Sequence, residues 1–423
     1  MQRADSGAHA DVAVVGAGIV GVCIAYELRK RGLSVVLIDK GEPGQGCSYG
    51  NSGAVSPSSV VPLAMPGVLA SVPKMLGNPD SPLFLPWWYL PRAAPWLARF
   101  VWSARPETVE RSAALLAKAH FEAVARHEQM TREVGVPELL LRKGHLHLYP
   151  TRFDLDADRS GWELRQRHGF SFEKLDRHGI EDLEPNVPLH YQTGVFLQDQ
   201  ATILNPYRYV QAIFDAYVRR GGAFCQSEVR SIAPDGGGLW RIETGLGSTM
   251  SLDKDSLVRP HSFPAGARHV VIAAGIWTRR LLEPLGVKLH LETQRGYHVQ
   301  FTSATSPVSR TVIFTDKKVF FTPMEQGLRV GGTVEFAGTD APPEHNRSKV
   351  LLRIAKESFD DLSQQPYETW MGHRPCMPDS VPVTGQSPDL PGLWLATGHG
   401  HLGLTDSVGT AIEIADGVCA QVR

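Results

Sequence analysis

The N-terminal part of the chain alternates short apolar runs with one amphipathic stretch, in the order strand, helix, strand. Residues 11–15 (DVAVV) have the length and composition of a buried strand. Residues 22–32 (VCIAYELRKRG) place apolar side chains at helical spacing and end on a glycine, as helices often do. Residues 33–39 (LSVVLID) predict a second buried strand. The pattern therefore predicts a β–α–β unit at the start of the chain.

A glycine-rich turn joins the first predicted strand to the helix. Its sequence, Gly16-Ala-Gly18-Ile-Val-Gly21, fits the dinucleotide-binding fingerprint. Gly16 suits the tight turn, Gly18 lets the backbone approach a pyrophosphate, and Gly21 lets the helix pack on the strand. The helix N-terminus offers unpaired N–H groups to the phosphates. Asp39 ends the second strand, where a carboxylate can accept both ribose hydroxyl protons. This combination predicts a bound dinucleotide.

A second glycine-rich turn lies near the C-terminus and favours FAD over NAD. Residues 392–397 (GLWLAT) predict a strand, residues 398–403 (GHGHLG) a loop, and residues 404–418 a helix. The N-terminus of such a helix would stabilise the negative charge that a flavin gains on reduction. Apart from these two turns, the sequence contains no strand–GxGxxG–helix unit, so we do not expect a second dinucleotide on a domain of its own.

Further patterns predict the rest of the fold. Alternating positions rich in β-branched and aromatic residues over 291–337 predict antiparallel strands. The polar segment 235–268 predicts a solvent-facing hairpin with an insertion, and a contact surface for a partner chain is the less favoured interpretation. Residues 106–135 predict a helix whose apolar face carries Leu115, Ala119, Val124 and Met130.

Length, charge and cysteine content narrow the class of protein. The 423 residues suit two interleaved domains. The formal net charge is −1 without a basic block, so nucleic acid is not an expected partner. The first ten residues lack the apolar core of a signal peptide, and no apolar run is long enough to span a membrane, so we expect a cytoplasmic protein. The 5 cysteines show no metal-binding or CxxC spacing, so we expect reduced thiols and no metal site.

Residues 82–102 (PLFLPWWYLPRAAPWLARFVW) are rich in tryptophan and proline. The prolines exclude one long regular helix through the first half of this segment. One interpretation is that the aromatic side chains pack under a sheet as core. The other is that they form an exposed apolar surface beside Arg92 and Arg99, which would lie in the headgroup region of a membrane. The tryptophans of the segment are Trp87, Trp88, Trp96 and Trp102.

These motifs, with others along nearly the whole chain, resemble the D-amino-acid oxidase family of FAD oxidoreductases, and most closely its bacterial D-amino-acid dehydrogenases. Met377 departs from the family pattern, because relatives often have threonine there. Besides the first glycine turn and Asp39, the motifs are residues 48–57 (SYGNSGAVSP), 144–149 (GHLHLY), 205–206 (NP), 273–277 (AAGIW), 295–298 (RGYH), 372–379 (GHRPCMPD) and 398–405 (GHGHLGLT).

The resemblance implies a fold with α/β and α+β parts. A Rossmann-like FAD-binding domain is expected to interleave with an antiparallel-sheet substrate domain. The FAD-binding domain would comprise residues 1–80, 200–290 and 372–423, and the substrate domain residues 81–199 and 291–371.

The resemblance also implies a set of FAD-binding residues and a non-covalent cofactor. Cys47 and Cys376 are candidate attachment sites, but the related sarcosine oxidases use a cysteine at the position that matches Gly372 here. Val229 is implied as an adenine contact, with core packing as the alternative. The implied FAD-binding residues are Gly16, Gly18, Ile19, Val20, Gly21, Asp39, Lys40, Ser48, Asn51, Ser52, Gly53, Val229, Ala274, Gly275, Trp277, Gly398, Gly400, His401, Leu402, Gly403 and Thr405.

Arg374 is implied as the anchor for the carboxylate of an amino acid. In the resembling enzymes the arginine of a G-x-R-P run has this role, and Arg374 stands in such a run. A guanidinium binds a carboxylate through two parallel hydrogen bonds, which would fix the substrate's α-carbon in front of the flavin. An arginine that bridges surface loops is the alternative interpretation.

Other candidates lie in the strand QRGYHVQF and in the C-terminal loop. Alternation sends Tyr297 and His298 to opposite faces of that strand. We expect Tyr297 to face the pocket as a hydroxyl donor, with ordinary sheet packing as an equal alternative, and Arg295 to be a second candidate anchor. His399, a candidate catalytic residue, and His401 are expected to contact the flavin or close the pocket without an acid–base role. The alternative interpretation is that they cap exposed backbone. The reacting amine must be neutral, and a desolvated pocket already favours its neutral form.

The activity that the resemblance implies is FAD-dependent oxidative deamination of a D-amino acid. Hydride would pass from the α-carbon to flavin N5, and the imino acid would hydrolyse to a 2-keto acid and ammonia. A respiratory quinone or another acceptor would take the electrons, with contact at the inner face of the cell membrane if the aromatic segment is exposed. The alternatives are a D-hydroxyproline dehydrogenase subunit and a glycine- or sarcosine-type amine oxidase that uses oxygen. Arg374 and Tyr297 argue against a flavin-binding subunit without substrate chemistry.

Overall fold

The computed structural model describes residues 9–67, 81, 83–245, 249–253, 256–258, 266–302 and 305–422. Pro82 and parts of the predicted hairpin at 235–268 lie outside the described residues. Of the described part, β12 (Trp240–Thr244) pairs in antiparallel fashion with β11 (Val229–Pro234), which precedes the predicted segment, and strands β13 (Thr249–Asp253) and β14 (Ser256–Val258) within it pair with each other.

Helices and strands alternate along the described chain. The α-helices are α1 Ile19–Lys30, α2 Leu90–Ser103, α3 Pro106–His120, α4 Ala123–Val134, α5 Arg152–Ala157, α6 Arg159–Arg167, α7 Arg177–Leu183, α8 Pro206–Arg219, α9 Thr278–Leu282, α10 His345–Ser358 and α11 Gly403–Val422. Short 3-10 helices cover Pro137–Leu139, Gly275–Trp277, Glu283–Leu285 and Asp360–Leu362. The remaining strands are β1 Ala10–Val15, β2 Val35–Asp39, β3 Ala54–Val55, β4 Leu83–Phe84, β5 Leu140–Leu141, β6 His145–Tyr149, β7 Glu173–Asp176, β8 Thr193–Leu197, β9 Ala201–Ile203, β10 Ala223–Gln226, β15 Ala267–Ile272, β16 Glu292–Phe301, β17 Thr311–Phe314, β18 Val319–Met324, β19 Gly327–Glu335, β20 Tyr367–Cys376, β21 Val383–Gln386 and β22 Leu393–Thr397.

The first sheet contains the predicted β–α–β unit. Its described strands follow the order β11-β12-β15-β1-β2-β10-β13-β14, with β22 beside β15 and β21 beside β22. Strands β22, β15, β1, β2 and β10 run parallel. On one face, Val12, Val14 and Leu37 share a core with Ile24 of α1 and Ile414 of α11. Burial on both faces is what a parallel sheet requires, and it explains the continuous apolar runs of β1 and β2.

The second sheet is mostly antiparallel. Its described strands follow the order β20-β16-β19-β18-β17-β6-β8-β7, with β4 beside β19. Helix α10 packs against β16 and β19, and the core between them contains Val299, Phe314, Phe321, Val330 and Leu351. A Rossmann-like α/β part is thus combined with an antiparallel sheet, as the sequence predicted. Strand β20 continues to Cys376, past the expected domain boundary at residue 372, so the GHRP segment lies in the second sheet.

The helix predicted for residues 106–135 is two helices. Helix α3 ends at His120 and α4 begins at Ala123. Leu115, which was predicted to face inward, is 49% exposed, whereas Val109 and Leu116 are buried. The prediction was wrong at Leu115 because it assumed one continuous helical periodicity over residues 106–135. The break between the two helices gives each of them its own buried face. Val124 and Met130 are buried as predicted.

Candidate active site

Most of the predicted cofactor-binding residues gather at one edge of the first sheet. Strands β1, β2, β15 and β22 are parallel, so their carboxyl ends lie at the same edge. Ligands of open α/β sheets bind at this edge. Each of these strands is followed by a group of the predicted residues. Strand β1 is followed by Gly16, Gly18, Ile19, Val20 and Gly21, and β2 ends at Asp39 and is followed by Lys40. Strand β15 is followed by Ala274, Gly275 and Trp277, and β22 by Gly398, Gly400, His401, Leu402, Gly403 and Thr405.

Close backbone contacts require glycine at two positions of the first turn. Gly16 has a φ of 108°, in the left-handed region, and a Cβ there would overlap the carbonyl oxygen of Ala273. A Cβ on Gly21 would overlap the carbonyl oxygen of Gly16. The turn and the first turn of α1 therefore pack backbone against backbone, as predicted for these two glycines.

The N-terminus of α1 suits an anionic group. Gly18 is its N-cap residue and provides no side-chain cap. Ser48 reaches this end of the helix from the loop after β2, and its hydroxyl oxygen accepts a hydrogen bond from the Ile19 N–H at 2.9 Å. The helix dipole and the uncapped N–H groups of the first turn favour negative charge here. Ser48 thus lies beside the position where a pyrophosphate would bind.

Asp39 fixes the backbone around this edge. Its Oδ2 accepts a hydrogen bond from the Ala17 N–H at 2.7 Å, and its Oδ1 accepts one from the Gly41 N–H at 2.9 Å. A carboxylate has about four lone-pair sites, so acceptor capacity remains for ribose hydroxyls. Val229 lies nearby in β11, because the N–H of Ser227, two residues earlier, donates to the carbonyl oxygen of Asp39. Its contact with adenine stays a prediction.

The loop at residues 48–53 is held against the second sheet by Arg329, which the sequence did not single out. The Arg329 guanidinium donates to the carbonyl oxygens of Tyr49, at 3.1 Å, and of Asn51. Burial lowers the pKa of Arg329 to about 10, so it stays charged at neutral pH. The Asn51 side chain accepts a hydrogen bond from the Gly53 N–H at 2.8 Å, and Ser52 approaches Gly331 of β19. The sequence signal for Arg329 was a single arginine in a strand whose other side chains are mostly apolar or small.

Two paired glycines in the second sheet lie under large side chains. Gly296 of β16 and Gly372 of β20 are direct cross-strand partners. A Cβ on Gly296 would overlap the guanidinium of Arg374, and a Cβ on Gly372 would overlap the indole of Trp370. The same indole would overlap a Cβ on Gly50. The glycines therefore let two large side chains lie flat against the sheet.

Arg374 has the surroundings of a ligand anchor. Solvent reaches part of its side chain, although protein atoms surround it closely, as in the wall of a cleft. Removal from water lowers the pKa of its guanidinium. The neighbouring thiols supply no counter-charge, because burial raises the pKa of Cys47 to about 11 and that of Cys376 to about 12. No residue in the described part of the chain forms an ion pair or a hydrogen bond with this guanidinium, so its charge is available to an anion.

His298 shares the sheet face of Arg374. Its ring stacks on Trp370 with centroids 5.2 Å apart and an interplanar angle of 18°. Its Nδ1 lies 3.1 Å from the carbonyl oxygen of Gly50. Burial, together with the nearby charges of Arg329 and Arg374, lowers the pKa of His298 to about 3. The ring is therefore neutral at physiological pH.

Tyr297 and Arg295 lie on the opposite face of β16, which contradicts two sequence predictions. The Tyr297 hydroxyl donates to Glu335 and accepts a hydrogen bond from the Glu344 N–H at 2.9 Å. Arg295 is fully buried, and its guanidinium lies 3.2 Å from the Glu335 carboxylate. The alternation along β16 was predicted correctly, but the pairing with β20 turns His298, and not Tyr297, toward Arg374. Neither Tyr297 nor Arg295 is a substrate anchor in this geometry.

The C-terminal loop closes the site beside Arg374. Gly398 and Gly400 have φ values of 83° and 56°, and the Gly400 N–H donates to the carbonyl oxygen of Pro375 at 2.8 Å. Helix α11 begins at Gly403. The Thr405 hydroxyl accepts a hydrogen bond from the Ser56 N–H at 3.1 Å, which ties the start of α11 to the loop after β3.

The two histidines of this loop differ in position. His399 is buried and lies 3.1 Å from the Thr410 hydroxyl, inside the protein. Its selection as a catalytic residue is therefore corrected, because it faces α11 and not the cleft. His401 remains exposed to solvent. Surrounding protein and the charge of Arg374 lower its pKa to about 4. The bond between Gly400 and Pro375 brings this loop beside the strand that carries Arg374. The left-handed turn at Gly400 explains why the two rings diverge.

Comparisons with known proteins agree with this geometry. A family model described as "FAD dependent oxidoreductase" (DAO) matches residues 11–417. The chain belongs to the DAO family of FAD-dependent oxidoreductases. A D-amino-acid oxidase of Bradyrhizobium diazoefficiens is 34% identical over 411 residues, covering 96% of this chain and 94% of the relative. A D-amino acid dehydrogenase of Dechloromonas aromatica is 30% identical over 415 residues, covering 96% of each.

Solved structures share the fold of this DAO-family chain. Glycine oxidase from Geobacillus kaustophilus superposes with a TM-score of 0.72 at 22% identity, covering 97% of this chain and 95% of that one. L-Proline dehydrogenase from P. horikoshii gives a TM-score of 0.71 at 15% identity, covering 98% and 94%. The chain therefore shares its fold with these two enzymes.

The residues present fit FAD, the cofactor of the family. Gly16 and Gly21 with their close backbone packing, the start of α1 at Gly18 and the carboxylate of Asp39 would hold the ADP half of FAD. Lys40 and Trp277 form one side of the same edge, with the Lys40 ammonium 4.6 Å from the indole centroid. Within the described ranges, no cluster of three or more His, Cys, Asp or Glu side chains could hold a metal ion.

Asp39→Ala is expected to weaken FAD binding by about ten-fold to a hundred-fold. The substitution removes the expected acceptor for the ribose hydroxyls and also leaves the Ala17 and Gly41 N–H groups without their acceptor. Hydrogen bonds to a charged group contribute about 1.5–3 kcal/mol each. FAD titration of the apoprotein measures the change in Kd. Glu42→Ala is the matched control, because Glu42 is exposed and bonds the Gln45 side chain. An unchanged Kd for Asp39→Ala would contradict the assignment.

Proposed function

We propose that this protein oxidises the α-carbon–nitrogen bond of a D-amino acid, with Arg374 as the anchor of the substrate carboxylate. The observation that carries the proposal is the guanidinium of Arg374, which lies in a cleft over Gly296 without an anionic partner among the described residues. A buried, uncompensated charge is unfavourable unless a ligand neutralises it. The names of the two relatives, a D-amino-acid oxidase and a D-amino acid dehydrogenase, support an amino acid as that ligand.

The groups around Arg374 favour a neutral amine. Burial is the main cause that lowers the pKa values of His298 and His401, to about 3 and about 4. These rings are therefore neutral at pH 7 and donate no proton from an imidazolium. The positive charge of Arg374 and partial desolvation both disfavour a substrate ammonium, so the substrate amine loses its proton more readily in the cleft than in water.

The reaction that follows is a two-electron oxidation. The chemistry that bound FAD supplies is acceptance of a hydride from the substrate's α-carbon. Loss of that hydride and of one N–H proton converts the amino acid into an imino acid, and water then yields a 2-keto acid and ammonia. Arg374 holds the carboxylate throughout, and the paired glycines Gly296 and Gly372 let its guanidinium and the Trp370 indole lie flat against the sheet.

One side of the aromatic segment packs as core and the other side is exposed, so each of the two interpretations left open by the sequence describes part of it. Tyr89, Ala93 and Trp96 are buried in a small core with Phe336 and Cys376. The Trp96 indole N–H donates to the carbonyl oxygen of Cys376 at 3.2 Å, so α2 packs on the strand that carries Arg374. The other side of the segment is open to solvent.

Exposed large apolar residues line this open side. Trp87 is 85% exposed and Trp102 is 62% exposed, and Arg92 and Arg99 are exposed beside them. The guanidinium of Arg105 covers the Trp102 ring at 3.2 Å. Aromatic residues interspersed with arginines suit the headgroup region of a bilayer. None of the helices in the described ranges has the length and apolar character needed to cross a membrane.

We propose that this surface contacts the membrane and that a quinone takes the electrons. The packing of α2 on β20 would bring the active site near the bilayer surface, where a quinone is available. Stopped-flow reoxidation tests the acceptor: the reduced enzyme should react much faster with a soluble quinone analogue than with air-saturated buffer. Rapid reoxidation by oxygen with stoichiometric peroxide would identify an oxidase instead.

The variant Trp87→Ser/Trp88→Ser/Trp102→Ser is expected to lose vesicle binding by at least about ten-fold. Burial of a large apolar side chain contributes about 1.5–3 kcal/mol when it is complete, and these three side chains are exposed. Co-sedimentation with phosphatidylcholine–phosphatidylglycerol vesicles measures the effect. Phe153→Ser is the matched control, because Phe153 is 82% exposed on the distant helix α5. Wild-type protein that stays in the supernatant would exclude the membrane contact.

A further inference from the structure

We propose that Nε2 of His298 accepts a hydrogen bond from the amino group of the substrate whose carboxylate Arg374 holds. This inference rests on the proposed function and extends it to the second polar group of an amino acid. It assigns a binding role to His298, whereas the sequence favoured Tyr297 as the residue that faces the pocket.

The tautomer of His298 follows from its partner. Its Nδ1 lies 3.1 Å from the carbonyl oxygen of Gly50. A carbonyl oxygen only accepts hydrogen bonds, so Nδ1 carries the proton and Nε2 carries the lone pair. The stack on Trp370 and the hydrogen bond to Gly50 fix the plane of the ring. Nε2 is thus an acceptor held in one direction.

That lone pair has no partner within the described part of the protein. The ring of His298 is buried, yet Nε2 is not among the buried polar atoms that are sealed from solvent without a hydrogen bond. The open edge of the ring therefore reaches the cleft. The pairing of Gln294 with Arg374 and of His298 with Trp370 places the two side chains on the same sheet face.

The spacing between the two side chains suits an α-amino acid. The guanidinium of Arg374 lies over Gly296, and His298 is two residues further along the same strand face. Positions two residues apart on a strand are separated by about 7 Å. A carboxylate and an α-amino group with a hydrogen bond of about 2.9 Å at each end span a comparable distance. One substrate can therefore contact both residues.

The charge state of His298 suits an amine better than a second carboxylate. A neutral ring with a bare Nε2 accepts a hydrogen bond from an ammonium or from a neutral amine, and the contact persists when the amine loses its proton. An oxygen anion at this position would face the lone pair and be repelled. A plain carboxylic acid has no amine to donate to Nε2, so His298 favours amino acids over plain carboxylic acids.

Two unreactive ligands test this inference on the FAD-loaded enzyme. 2-Aminoisobutyrate has a carboxylate and an amine but no α-hydrogen, so it is not oxidised, and isobutyrate lacks the amine. Calorimetry measures both Kd values in wild type and in His298→Asn, whose side-chain N–H groups can still donate to Gly50 but whose reach is too short to replace Nε2. The expected result is a loss of about ten-fold or more in affinity for 2-aminoisobutyrate, with isobutyrate binding changed by less than about two-fold.

His298→Gln is the complementary variant. Its side-chain oxygen can take the place of Nε2, whereas its link to Gly50 is lost, so it should retain the preference for 2-aminoisobutyrate over isobutyrate. If His298 only held Gly50 in place, His298→Gln would lose affinity for 2-aminoisobutyrate and His298→Asn would keep it. That result would overturn the inference. If His298→Asn fails to retain FAD, the preference measured for His298→Gln decides the question alone.

The same titrations separate this inference from the proposed function. Wild-type enzyme that binds both ligands, with no loss of 2-aminoisobutyrate affinity in His298→Asn, would overturn the role of His298 and leave the function of Arg374 intact. Wild-type enzyme that binds neither ligand would overturn the proposed function itself.

Discussion

Arg374→Ala is expected to retain FAD and to lose most of its activity, with kcat/KM lower by about 30-fold to several thousand-fold. Truncation of one member of a buried, hydrogen-bonded charge pair costs about 2–5 kcal/mol, and each 1.4 kcal/mol corresponds to about ten-fold. The loss should be large because the guanidinium has no other partner among the described residues and is the group that fixes the carboxylate. Steady-state kinetics with the best D-amino acid, at matched flavin content, measure the effect.

Two further variants make the Arg374 result specific. Arg374→Lys should restore little activity, because an ammonium lacks the planar fork that binds both carboxylate oxygens. Arg279→Ala is the matched control, since Arg279 is an exposed arginine that pairs with Glu283 on the surface. Near wild-type efficiency of Arg374→Ala would place the carboxylate anchor elsewhere. Arg295 would not be the substitute, because its charge is buried against Glu335 on the other face of the sheet.

Glu335→Ala is expected to lower the free energy of unfolding by about 3–5 kcal/mol. The substitution leaves the fully buried guanidinium of Arg295 without its counter-charge and removes the acceptor of the Tyr297 hydroxyl. Breaking a buried ion pair by removing one partner has this magnitude, because an uncompensated charge remains inside the protein. Urea unfolding followed by tryptophan fluorescence measures the change.

Controls separate this buried pair from ordinary surface pairs. Glu283→Ala breaks an exposed pair with Arg279 and should change stability by less than about 1 kcal/mol. The double variant Arg295→Leu/Glu335→Leu should recover much of the loss, because it removes both charges. If Glu335→Ala were no more destabilising than Glu283→Ala, the buried charge of Arg295 would not depend on Glu335 for its stability, and the prediction would be wrong.

The sequence was sufficient for features that depend on local spacing. Gly16, Gly21 and Asp39 lie within one β–α–β unit, so their separations along the chain determine their separations in space. The alternation of Tyr297 and His298 was equally local. Which of the two faces Arg374 was not, because the answer depends on the pairing of Gly296 with Gly372 from a distant strand. A pattern of period two gives two faces but does not say which one is lined by the site.

Contacts between distant segments could not be predicted from the sequence for the same reason. Arg329 holds Tyr49 and Asn51, which are 280 and 278 residues away along the chain. The division of the aromatic segment into a packed side with Trp96 and an exposed side with Trp87 depends on where α2 meets β20. Composition showed that the segment was unusual, and only the tertiary packing determined which side meets solvent.

Anaerobic titration of the purified, FAD-loaded enzyme with amino acids tests the central claim most directly. The screen should contain D- and L-amino acids, glycine, sarcosine and the hydroxyproline isomers, with the yellow flavin absorbance followed after each addition. Rapid bleaching by one or more D-amino acids, and its loss in Arg374→Ala at unchanged flavin content, is the predicted result. An enzyme that stays yellow with every D-amino acid, or that is bleached by L-amino acids alone, would contradict the account.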